Sequence, residues 1–168
     1  MINVVKPPLR PHTNVYEDDI CIFLAGSIDG GVAEEWQARV EKDLESYPIT
    51  LFNPRRDFWD DTWEQTISNP NFKEQVEWEM DHLDRADIIV MYFDPNGKAP
   101  ITLLELGLHA AKSNIIVCCP DGYWRKGNVE VIADRFGLVL VNSYEAMMTA
   151  LKQEIVYPSV DRRKRGPQ

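Results

Sequence analysis

The chain has 168 residues, 44% of them hydrophobic and 27% charged. That describes one soluble domain, large enough to bury a core without disulfide or metal staples. A net charge of −9 argues against a nucleic-acid polymer as partner, although local backbone N–H groups of an acidic chain can still hold one small anion.

Residues 1–18 carry Pro7, Pro8 and Pro11 and little periodicity, and read as an extended arm without the apolar stretch of a signal peptide. Ile20-Cys21-Ile22-Phe23-Leu24-Ala25 is a continuous apolar run, the pattern of a buried parallel strand. A turn follows, Gly26-Ser27-Ile28-Asp29-Gly30-Gly31. Residues 32–46 are predicted helical, with Val32, Trp36, Val40 and Leu44 spaced four apart. Ile49-Thr50-Leu51-Phe52 is the second strand. Residues 53–71 form a long aromatic and polar loop, broken by Pro54 and Pro70; a loop of that length in a compact domain is usually functional.

Residues 72–85 are predicted helical, with Phe72, Val76, Met80 and Leu83 on one face. A third strand follows at 88–93, a helix at 101–113 and a fourth strand at 115–119. A loop around Pro120-Asp121-Gly122 leads to a helix at 128–136, a fifth strand at 138–141 and a closing helix at 144–155. The tail, 158–168, holds Arg162-Arg163-Lys164-Arg165 and reads as disordered. No run approaches membrane-spanning length, so no membrane partner is expected. Cys21, Cys118 and Cys119 sit in apolar runs without a Cys-x-x-Cys pair. They read as core residues in a reducing cytoplasm, with no zinc site.

Strand and helix alternating five times predict an α/β domain over 19–157. Its five-stranded parallel sheet is doubly wound, with the flavodoxin-like order 2-1-3-4-5. Right-handed crossovers then bring the loops at 26–31, 53–71, 94–100 and 120–127 to one edge of the sheet.

Those loops carry the candidate chemistry. Glu105 lies in Pro100-Ile101-Thr102-Leu103-Leu104-Glu105-Leu106-Gly107-Leu108, a carboxylate enclosed by aliphatic neighbours just past a strand. Apolar surroundings would make it a nucleophile or a tunable acid; the alternative is a helix-start glutamate favoured by the macrodipole. Gly26, Ser27 and Ile28 offer a backbone that can approach a ligand, or a simple tight turn. The segment Asn53-Pro54-Arg55-Arg56-Asp57-Phe58-Trp59-Asp60-Asp61-Thr62-Trp63 has the residues to stack a flat ring and bond its edge. The same residues also suit a subunit contact. Glu79 falls on or beside a buried helical face and needs a partner there, either an arginine or a substrate hydroxyl. Asn128 is placed to cap the helix that follows it. His12, His82 and His109 have no base-plus-nucleophile setting, and no metal-ligand grouping is seen.

Together these segments resemble the nucleoside 2-deoxyribosyltransferase-like family over about 20–136. The strongest match is Ala86-Asp87-Ile88-Ile89-Val90, a turn, then Leu104-Glu105-Leu106-Gly107-Leu108-His109-Ala110; Phe23-Leu24-Ala25-Gly26-Ser27-Ile28 comes next. The resemblance implies that Glu105 is the nucleophile attacking the anomeric carbon of a (deoxy)ribosyl group. Glu79 stands where the family has an aspartate that assists at the nucleobase. Asn128 stands where an asparagine reaches a neighbouring subunit's site and binds the sugar 5′-hydroxyl, so a homo-oligomer is implied. A family aspartate six residues before the nucleophile is replaced by Ala99, with Asp94 or Asn96 as substitutes from the same loop. The family's C-terminal segment that folds into the site is not recognisable in the basic tail.

The implied partners are a nucleoside or nucleotide and a free nucleobase, with no cofactor or metal. Trp59 or Trp63 would stack on the base, with Asp57 in the same loop. The Gly26-Ser27-Ile28-x-Gly-Gly turn also resembles that of 2′-deoxynucleoside 5′-monophosphate N-glycosidases, where it helps hold the 5′-phosphate. Transfer to a second base is the first expectation. Hydrolysis of a 5′-monophosphate is the second, and a non-catalytic nucleoside-binding module the third.

Overall fold

The computed structural model describes residues 1–10, 19–28, 35–58, 60 and 62–159. Its elements run β1 (Asn3–Val5), β2 (Ile20–Gly26), α1 (Trp36–Asp43), β3 (Ile49–Phe52), α2 (Pro70–Arg85) and β4 (Ile88–Tyr92). They continue with α3 (Pro100–His109), β5 (Ile115–Cys118), α4 (Lys126–Phe136), β6 (Val139–Val141) and α5 (Tyr144–Val156).

All the strand pairs are parallel, in the order β1-β3-β2-β4-β5-β6. The five expected strands hold the flavodoxin-like order. The sheet has a sixth, however, because part of the arm pairs with β3: Asn3, Val4 and Val5 lie opposite Thr50, Leu51 and Phe52. Only Val5 of this strand is buried. Three residues with one core contact leave almost no pattern to read, and the prolines beyond them pull the reading toward irregular chain.

The chain reverses its direction of winding between β2 and β4, so a crevice opens there at the carboxyl edge. Register fixes that edge. Gly26 lies opposite Tyr92, Tyr92 opposite Cys118, and Cys118 opposite Val141. β3 stops earlier, with Phe52 opposite Phe23.

Two cores flank the sheet. Phe23, Phe52, Ile89, Met91 and Val117 pack against Trp78 and Leu83 of α2, Leu106 of α3 and Val129 of α4. Ile22, Leu24, Leu51, Val90 and Ile116 pack against Trp36 and Val40 of α1 and Met147, Leu151 and Ile155 of α5. Cys21, Cys118 and Cys119 are buried in these layers and form no disulfide among the described residues, as their apolar context implied. None of the helices among the described residues is long and apolar enough to cross a membrane.

Local chemistry moves several boundaries. Pro70 does not break the chain but begins α2: it occupies the first turn, and Asn69 caps the helix by accepting from the N–H groups of Asn71 and Phe72. The buried face of α2 is Gln75, Trp78, His82 and Leu83, while Met80, assigned to the core by spacing, is 52% exposed. Burying an indole removes more apolar area than burying a thioether, so Trp78 sets the phase. α1 is shorter than expected at its carboxyl end, where Leu44 is the C-cap. α3 gives way to turns after His109, and α4 begins at Lys126, two residues before Asn128.

Candidate active site

Glu105 is the sixth residue of the ten-residue helix α3 and faces inward with Thr102, Leu106 and His109. It is therefore past the first turn, where the macrodipole acts, so the helix-start reading does not account for it. Its exposure is 9%, and among the described residues none donates a hydrogen bond to its carboxylate. Burial first, and the nearby charge of Glu79 second, push its pKa up to about 8. The sequence signal, a carboxylate among aliphatic residues, thus reflects a desolvated acid.

Glu79 reaches the same region from α2. Among the described residues its hydrogen-bond partner is Gln75, one turn earlier, rather than an arginine: Gln75 Nε2 donates to Glu79 Oε1 at 2.8 Å and to the Pro54 carbonyl at 2.9 Å. Gln75 Oε1 in turn accepts from Arg56 Nε at 2.6 Å, and Arg56 Nη2 donates to Glu74 at 2.7 Å. The Gln75 amide is thus fixed in orientation by three bonds. Burial raises the pKa of Glu79, opposed by the Gln75 hydrogen bond and then by the charge of Arg56. Glu79 and Glu105 form an electrostatically coupled pair of carboxyls, one with a donor and one without. Gln75 was missed in the sequence, although its position four residues before Glu79 on a helix was available as a signal.

The loop entering α3 is tied to the end of β2. Ser27 Oγ accepts from the Asp94 N–H at 3.0 Å, and the Ser27 N–H donates to the Tyr92 carbonyl at 3.0 Å. Ser27 is buried, with its carbonyl accepting from Trp36 Nε1 at 3.3 Å. Ile28 beside it is half-buried. Gly26 is needed for close approach: a Cβ there would stand 2.5 Å from the Tyr92 carbonyl oxygen and 2.8 Å from the Trp36 ring. The turn closes on its own scaffold at Gly26 and Ser27; Gly30 and Gly31 lie outside the described residues.

Asp94 is half-buried and accepts from the Asn96 N–H at 2.8 Å, an Asx turn that leaves Asn96 exposed. Ala99, at the N-cap of α3, takes a left-handed conformation with φ 43 and ψ 53. That costs a non-glycine residue about 1–2 kcal/mol, and it is compensated here by anchoring: Tyr123 Oη and Trp124 Nε1 both donate to the Lys98 carbonyl, at 2.7 and 3.0 Å. The loops after β2, β4 and β5 therefore meet at one edge.

The remaining expected residues have the following surroundings. Asp57 is exposed and pairs with Lys6 at 2.7 Å. Trp63 is half-buried, with the Arg56 guanidinium 5.3 Å from its ring centroid. Asn128 is inside α4, where Arg125 holds the cap position, so it does not cap the helix; it is exposed. His82 stacks on Trp78 and His109 is buried, and burial lowers the pKa of both. Trp59, His12 and the basic residues Arg162 to Arg165 lie outside the described residues. Among the described residues no group of three His, Cys, Asp or Glu side chains could hold a metal ion.

A family model described as nucleoside 2-deoxyribosyltransferase like matches residues 19–123, well over half of the chain. The crystal structure of a conserved protein from Enterococcus faecalis is similar in fold, with a TM-score of 0.56 at 15% identity, covering 81% of this chain and 99% of that one. No curated protein matches the chain.

Proposed function

The chain belongs to the nucleoside 2-deoxyribosyltransferase-like family, and on that premise we propose that it cleaves the N-glycosidic bond of a (deoxy)nucleoside and passes the sugar to a second base. The observation that carries this reading is the coupled pair of carboxyls, Glu105 buried with no donor among the described residues and Glu79 held by Gln75.

In the proposed step, Glu105 attacks the anomeric carbon as the C1′–N bond breaks, through an oxocarbenium-like transition state. The departing base takes a proton from Glu79 or Asp94. The incoming base then displaces Glu105 from C1′ and returns the proton, so the enzyme is regenerated. Attack requires Glu105 ionised and its partner protonated. In the free protein, burial favours the neutral form of Glu105, so its proton has to shift away before attack. Positive charge developing at C1′ favours that shift, because it stabilises the glutamate anion only as the reaction proceeds.

Two further features belong to the proposal. Trp63 or Trp59 covers the base. A second copy of the chain covers the face of α3 formed by Ile101, Leu104 and Leu108, exposed by 58%, 59% and 50%, and brings Asn128 to its neighbour's site.

The test is product analysis after incubation with deoxyinosine plus adenine, and separately with deoxynucleoside 5′-monophosphates. Base exchange on the free nucleoside supports transfer. Base release from monophosphates alone, without exchange, replaces transfer by hydrolysis. Nucleoside binding without any base release leaves a binding module. Full turnover in a Glu105→Ala variant removes the nucleophile.

A further inference from the structure

A side-chain amide donates at one end and accepts at the other, so its neighbours decide which end faces where. Gln75 is 5% exposed, and two neighbours settle its orientation. Arg56 Nε can only donate, and it holds the amide oxygen at 2.6 Å. The Pro54 carbonyl can only accept, and it holds the amide nitrogen at 2.9 Å. The same nitrogen donates to Glu79 Oε1 at 2.8 Å. Arg56 is held in turn. Its side chain is 10% exposed, and its Nη2 donates to Glu74 at 2.7 Å. Its guanidinium lies 5.3 Å from the Trp63 ring centroid, within cation–π range.

The consequence falls on Glu79. A protonated carboxyl has one oxygen that accepts and one that carries the proton. Oε1 accepts from Gln75, so the proton belongs on Oε2. Reversing the Gln75 amide would turn its oxygen toward Glu79. The Glu79 proton would then be bonded to Gln75 and withheld from a departing base. The reversed amide would also set its NH2 group against the Arg56 Nε–H, leaving two buried donors face to face, which is costly. Arg56 therefore opposes the reversal by geometry as well as by charge.

We propose that Arg56 is a positioning residue: acting through Gln75, it keeps Glu79 Oε2 as the oxygen that delivers the proton to the leaving base. The role rests on the glycosidic reading above, and of the two acids named there it selects Glu79. In this step the C1′–N electron pair goes to the base as Glu105 bonds to C1′. The Oε2–H bond of Glu79 breaks and an N–H bond forms on the base. Oε1 keeps the Gln75 N–H throughout, and the charge left on Glu79 strengthens that bond.

The experiment compares base release from deoxyinosine with release from its N7-methylated form, whose cationic base departs without a proton. Wild type, Arg56→Met and Glu74→Ala are measured. Glu74 is 44% exposed, so its replacement loosens the Arg56 fork and keeps the test open should Arg56→Met not fold. Arg56→Met should slow deoxyinosine about tenfold or more and leave the methylated substrate within about twofold. Glu74→Ala should show the same selectivity at about threefold. In hydrogen exchange followed by NMR, the Gln75 side-chain amide protons should exchange about tenfold faster in Arg56→Met than in the wild type. A merely structural role would slow both substrates alike. Equal slowing, no slowing, or unchanged amide exchange would overturn the role of Arg56. Base release with the selectivity and exchange unmoved defeats that role alone, whereas faster exchange in a protein whose wild type releases no base defeats the glycosidic reading alone.

Discussion

Replacing Glu105 by glutamine keeps its size and removes its titration, so stability against pH isolates the effect of burying this acid. In the folded chain its pKa rises from 4.5 to about 8. Below pH 4.5 the carboxyl is neutral both folded and unfolded, and its contribution to stability is at its full value. As pH rises, the unfolded chain releases the proton first while the folded chain keeps it. Stability falls through the window from 4.5 to about 8, and levels off above it. At about 1.4 kcal/mol per pKa unit, the loss is on the order of 5 kcal/mol, an upper bound because water and relaxation raise the effective dielectric around a buried charge. Glu105→Gln should thus match the wild type near pH 4 and exceed it by several kcal/mol at pH 9. Urea denaturation of both proteins at half-unit steps from pH 4 to 9 measures this, with m-values checked for constancy. Two curves that stay parallel across that range would refute the desolvated carboxyl on which the proposed chemistry depends.

Three other outcomes are expected. Gly26→Ala should destabilise by about 2–4 kcal/mol or prevent folding, since the new methyl meets the Tyr92 carbonyl oxygen at 2.5 Å; an unchanged melting temperature contradicts that contact. Gln75→Leu removes the donor to Glu79 and leaves the Pro54 carbonyl and Arg56 without their amide partner. The pKa of Glu79 should rise further, shifting the pH profile of kcat upward, whereas a merely structural loss would lower kcat with the profile in place. Leu104→Asp, at a site already 59% exposed, should leave the melting temperature of an isolated monomer nearly unchanged. In light scattering it should convert an oligomer to smaller species, and an unaltered mass would clear this helix face of any role in assembly.

Much of the site was legible before its geometry, and the reasons are local. Glu105 stood out because charge among aliphatic residues is costly, and that cost is what raises its pKa. Ser27 and Asp94 were picked from separate loops, and the carboxyl edge joins them by one hydrogen bond. Asn128 shows the converse. A residue suited to capping sits inside the helix because α4 starts earlier, at Lys126. Met80 shows how a four-residue spacing mistakes phase when a tryptophan nearby can bury more surface.

Sequence alone therefore determined the alternation of strands and helices, the five-strand order and the helix that carries Glu105, because apolar periodicity and burial are encoded within a dozen neighbouring residues. Only the tertiary structure decided which polar groups meet. The Gln75 bridge from Arg56 to Glu79 and the coupling of Glu79 to Glu105 depend on chain segments brought together by parallel crossovers, and hydrogen bonding across such distances leaves no periodic trace in the order of the residues.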